Sequence, residues 1–80
     1  MNLRGVGDRW LAGEPIDGVA LAMHDRVAIA MGPHANGRGI ILLLLGLKPQ
    51  PMYLIRLASG GEEIRVRQSA LRRLTIGEAT

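Results

Sequence analysis

Nine of the ten cationic side chains in this 80-residue chain are arginine. Three of them, Arg56, Arg65 and Arg67, recur at strand spacing on either side of Ser59-Gly60-Gly61, with Arg38 upstream and Arg72 and Arg73 downstream. A guanidinium is permanently charged and offers a planar fork of donors that matches phosphate and carboxylate oxygens. Arginines gathered on one face of a hairpin therefore suit a nucleic-acid backbone or an acidic protein surface. The bland alternative is a solvated face balanced by Glu63, whose exposed ion pairs contribute only ~0–1 kcal/mol each. Tyr53 is the one aromatic outside the first quarter of the chain. Single-stranded bases stack on rings, so one aromatic points to backbone contact rather than to the reading of bases.

Other chemistry finds less support. His24 and His34 stand apart, with no carboxylate–histidine spacing that would hold a metal. Asp25 reads as a residue that bonds turn backbone. Ser59, Ser69, His34 and Asp25 make a hydrolytic triad only on paper, because nothing in their spacing brings them together. Gly37-Arg38-Gly39 is no phosphate loop, since no Lys-Ser/Thr opens a helix after it. The expectation is a non-enzymatic protein with no catalytic residue, metal or cofactor.

The elements that must carry the arginines are short. The composition is 48% hydrophobic, yet Trp10 and Tyr53 are the only aromatics and cysteine is absent. The core is therefore aliphatic, without disulfide or thiolate–zinc staples, and chains of this size have marginal cores. The balance of ten Lys+Arg against seven Asp+Glu gives +3. Residues 1–22 contain Gly5, Gly7, Gly13, Pro15 and Gly18 without sustained periodicity, which predicts an irregular N-terminal arm anchored by Trp10 and Leu11, with at most a short amphipathic turn at residues 8–12.

From His24 onward strand signals dominate. Val27, Ile29 and Met31 alternate onto one face, and the breaker-rich stretch 32–37 follows. The aliphatic run 40–45 between Gly39 and Gly46 reads as a strand buried on both sides. Pro49 and Pro51 mark a loop. Strands over 52–58 and 62–67 flank Gly60-Gly61, a tight-hairpin signal. With those glycines as the loop, Leu57 pairs with Ile64, Ile55 with Val66 and Arg56 with Arg65. Residues 68–71 then form a helical turn, 72–76 a last strand, and 77–80 a frayed end.

Residues 25–41 resemble the KOW motif of SH3-like barrels in ribosomal and transcription-elongation proteins. Asp25-Arg26-Val27-Ala28-Ile29 leads into Gly32-Pro33-His34-Ala35-Asn36, and Gly39-Ile40-Ile41 follows. Asn36 stands at a usual glycine position, Gly39 at one kept for close backbone approach, and His24 where a glycine normally precedes the aspartate. The chain is also similar to the plasmid-type dihydrofolate reductases, tetramers of single SH3-like barrels, at residues 23–27, Tyr53 and residues 69–74. Their pore segment Val-Gln-Ile-Tyr is here Glu63-Ile64-Arg65-Val66, or Ile64-Arg65-Val66-Arg67 one residue along, without the Gln or the Tyr. These resemblances imply an all-β fold: a small SH3-like five-stranded barrel over 23–76 with a short helical turn before the last strand and an irregular arm.

Both faces of the run 40–45 are aliphatic, so either the N-terminal arm or a second subunit must cover the outer one; the thin core favours a second subunit, met by Ile40, Leu42 and Leu44. The longest apolar stretch is far short of the ~20 residues of a spanning helix, and no signal-peptide pattern opens the chain. The sequence thus predicts a cytoplasmic homo-oligomeric binding module. Arg56, Arg65, Arg67, Arg38 and Arg72 are its anion-binding residues, with a pore enzyme of altered or lost reductase activity, or an accessory subunit of a larger complex, as alternatives.

Overall fold

A computed structural model describes residues 3–75. Helix α1 (Leu3–Leu11) leads into a segment of turns and coil that runs to Asp25. Strands β1 (Arg26–Ile29), β2 (Arg38–Gly46), β3 (Met52–Leu57) and β4 (Glu63–Arg67) follow. A 3-10 turn (Gln68–Ala70) then precedes β5 (Leu71–Arg73). All five strands join one antiparallel sheet in the order β4-β3-β2-β1-β5, so β4 and β5 are its edges. The fold is all-β with one short helix; the sheet is open, with no pairing between its edge strands among the described residues. Residues 76–80, including the expected end of the last strand and the frayed end, lie outside the described residues.

The arm is more ordered than expected. Val6 and Trp10 are four apart, which places them on one side of α1, and both are buried. Gly13 (φ 84) ends the helix: its N–H donates to the Trp10 carbonyl (3.0 Å), and the Glu14 N–H donates to that of Arg9 (3.0 Å). That pair of bonds is the Schellman arrangement, which takes glycine because the residue must be left-handed. Trp10 anchors the arm as expected, with its indole N–H donating to the Leu21 carbonyl at 2.8 Å, whereas Leu11 is exposed. The helix and the segment behind it cover the inner face of the sheet. There Val6, Trp10 and Leu21 join Val27, Ile41, Leu44, Tyr53 and Ile55 in one cluster.

Two registers differ from the sequence reading. Arg56 pairs with Glu63, Ile55 with Ile64 and Leu54 with Arg65, a shift of two residues. The Leu57 N–H donates to the Glu62 carbonyl (2.8 Å), so the loop spans residues 58–61 rather than Gly60-Gly61 alone. A two-residue slip preserves which face each side chain occupies, but it replaces the expected Arg56–Arg65 opposition with an ion pair, Arg56–Glu63 at 3.2 Å. In β2 the ladder skips Leu42 between Ile41 and Leu43. This bulge changes the phase, so Leu44 turns into the core and Leu43 outward, 42% exposed. Leu44 is therefore a core residue and not part of an exposed contact surface.

At Gly39 β2 runs close against β3. A Cβ built there would lie 2.6 Å from Ile55 Cγ2 and 2.7 Å from the Arg56 carbonyl oxygen. The close approach expected at this residue is present.

Candidate functional site

The candidate surface is the outer face of the sheet, the side away from α1. Alternation along each strand puts Val27, Ile29, Ile41, Tyr53 and Ile55 inward, and directly paired residues share a face. Arg26, Ile40, Arg56 and Glu63 form one outer row across four strands, and Arg72, Ala28 and Arg38 form a second. A third runs Leu43, Leu54, Arg65, and the end of β3 adds Met52 beside Arg67. Arg26, Arg38, Arg56, Arg65, Arg67 and Arg72 therefore project from one face, all exposed, and among the described residues Glu63 is the only carboxylate in those rows.

All five arginines singled out from the sequence lie on this face. Arg26 was missed there, because β1 was read for its apolar side; the alternation Arg26-Val27-Ala28-Ile29 itself carried the signal. Arg73 points elsewhere. It follows β1 on the Val27 side, where its guanidinium donates to Asp25 Oδ2 at 2.8 and 3.0 Å and to the Ala20 carbonyl at 2.7 Å. Asp25 Oδ2 also accepts the Ala22 N–H at 2.8 Å, so this carboxylate bonds turn backbone as expected.

Gln68, which drew no notice in the sequence, is the second fastener of the arm. Its Oε1 accepts from Tyr53 Oη (2.5 Å) and from the Ala20 N–H (2.9 Å), and its Nε2 donates to the Gly18 carbonyl (2.9 Å). Burial pushes the Tyr53 hydroxyl above its ordinary range, which keeps it protonated as the donor in this network. Tyr53 is fully buried and Trp10 nearly so, their ring centroids 6.5 Å apart. Neither aromatic reaches the arginine face. Aliphatic side chains lie among the cations instead: Ile40 and Leu43 are exposed and Leu54 is half-buried.

A cleft of about 380 Å³ runs beside β4. Ile29, Met31, Pro33, Met52 and Val66 give it apolar walls, with Arg65, Arg67 and His34 among its lining residues. His24 lies in a turn with φ 69 and is not among the residues that line this cleft. No group of three metal-ligating side chains occurs among the described residues, and no helix among them is long and apolar enough to cross a membrane. Comparison with protein-family models, with curated proteins and with solved structures gives no match.

Proposed function

We propose that this protein is a non-enzymatic, cytoplasmic binding module whose outer sheet face contacts the phosphate backbone of nucleic acid. The observation that carries the reading is the convergence of Arg26, Arg38, Arg56, Arg65, Arg67 and Arg72 on one exposed face. Clustered guanidinium groups release condensed counterions when they meet phosphates, and that release drives sequence-independent affinity. Because both aromatics lie in the core, the face has no stacking platform, which favours backbone contact over base reading.

An SH3-like sheet with a KOW-type turn is the architecture we assign to it. Five short antiparallel strands, β5 paired with β1, and a 3-10 turn just before β5 support that assignment. So do the left-handed His24 (φ 69) and Asn36 (φ 72) at positions where the motif has glycine.

The test is heteronuclear NMR of the labelled protein titrated with a short duplex of arbitrary sequence. Perturbed amides and Arg Nε–Hε signals are expected on the outer rows of β1 to β5, with Trp10 and the arm silent. Perturbations confined to the cleft or the arm, or none at low salt while an acidic protein fragment produces them, would overturn the nucleic-acid assignment.

A further inference from the structure

Among the described residues strand β4 ends the sheet with an unpaired edge, and its own sequence is the complement of that edge. The hydrogen-bond phase is fixed at both ends of the β3–β4 ladder. The Leu57 N–H donates to the Glu62 carbonyl and the Gln68 N–H to the Pro51 carbonyl, each at 2.8 Å. Antiparallel pairs alternate between bonded and non-bonded, so Glu62, Ile64 and Val66 turn their backbone groups toward β3. Glu63, Arg65 and Arg67 turn theirs outward, away from the sheet.

We propose that this edge pairs with β4 of a second copy of the chain, antiparallel about a two-fold axis at Arg65. In that register Glu63 stands opposite Arg67 of the partner subunit, and the symmetry repeats the pair. On the inner face Ile64 meets Val66 of the partner subunit, again twice, so aliphatic side chains that are half-buried in one chain gain cross-strand neighbours. The single like-charge opposition is Arg65 with its own symmetry mate, flanked on both sides by opposite-charge pairs. A two-fold contact is self-complementary by construction, and the order Glu63-Ile64-Arg65-Val66-Arg67 satisfies that condition in charge, apolarity and backbone phase together. The other edge does not: β5 is the three residues Leu71–Arg73, with two arginines and no carboxylate.

The consequence reaches the arginine face. An axis perpendicular to the sheet keeps both outer faces on the same side, so the dimer is one ten-stranded sheet with a doubled basic surface. This pairing stands on the edge strand alone, and it is measured without nucleic acid, so its failure and that of the binding assignment are separate.

Sedimentation equilibrium of the full chain at micromolar concentration is expected to give twice 8.6 kDa. Arg67→Glu opposes Glu63 with a glutamate and Glu63→Lys opposes Arg67 with a lysine, so each variant is expected to sediment as a monomer with an unchanged circular dichroism spectrum. Mixing the two restores one opposite-charge pair of each kind, and a heterodimer is expected. The wild-type amides of Arg65 and Arg67 should also show hydrogen-exchange protection that falls on dilution, a reading that stands even if a variant fails to fold. A monomeric wild type would overturn the proposal. So would a dimer indifferent to Arg67→Glu, a mixture that stays monomeric, or a dimer dissolved by Leu43→Lys alone.

Discussion

Replacing Gly39 by alanine tests the packing that holds β2 against β3. The added methyl would sit 2.6 Å from Ile55 Cγ2 and 2.7 Å from the Arg56 carbonyl oxygen. Ile55 is fully buried, and the carbonyl belongs to the central ladder, so neither neighbour can step aside without moving the sheet. Inserting a methyl group into a well-packed core costs about 1–3 kcal/mol. A chain of this length has a total stability of roughly 4–12 kcal/mol at ~0.05–0.15 kcal/mol per residue, so the loss is a substantial share. Gly46→Ala in the same strand is the internal control. Nothing lies within 4 Å of its Cβ position and its φ is not left-handed, so it is expected to be neutral or to stabilise by about 0.4–1 kcal/mol through the unfolded chain. Urea unfolding followed by the fluorescence of Trp10 reads both. With a slope of about 1–3 kcal/mol/M, Gly39→Ala should lower the midpoint by roughly 1 M while Gly46→Ala leaves it in place or raises it. Equal midpoints for the two variants would refute the close approach of β2 and β3.

The remaining predictions concern the fasteners of the arm. Tyr53→Phe removes a hydroxyl donor from Gln68 and should cost about 1 kcal/mol at neutral pH. Burial raises the Tyr53 pKa in the folded state above its ordinary value of 10.0. Its contribution is therefore fully present below pH 10 and is lost as the pH climbs through the folded value; chemical denaturation should show an alkaline decline that is smaller in Tyr53→Phe, and identical pH profiles would contradict the burial of that hydroxyl. Arg73→Met strips the bonds to Asp25 and the Ala20 carbonyl. Because that side chain is half-exposed, the cost should be nearer 1 than 3 kcal/mol, with faster amide exchange at Ala22, whose N–H bonds the released carboxylate.

Much of the sheet was legible because each strand is short, alternates and is bounded by breakers. All five strands fall within or beside the predicted stretches, and the 3-10 turn lies where a helical turn was expected. The errors have local causes. Glycines at 5 and 7 lower helix propensity, which hid α1, although the Val6–Trp10 spacing and the stop at Gly13 were both in the sequence. Gly60-Gly61 invited a two-residue loop, whereas the four-residue loop sets Arg56 opposite Glu63, an opposite-charge pair in place of the like-charge one. The bulge at Leu42 has no signal in an unbroken aliphatic run, so the phase of Ile40, Leu42 and Leu44 could not be read past Ile41. The arginine face survived the register error because an even slip keeps every side chain on its own side.

The central claim is that the outer arginine rows bind a phosphate backbone. Its most direct test is the salt dependence of duplex binding by the wild type and by Arg65→Gln/Arg67→Gln, measured by fluorescence anisotropy. If most of the six guanidinium groups meet phosphates, log K should fall against log salt with a slope of about −4 to −5, and the double variant should lose roughly 2 from its magnitude. Binding too weak to detect at low salt, or a slope unchanged by the double substitution, would contradict it.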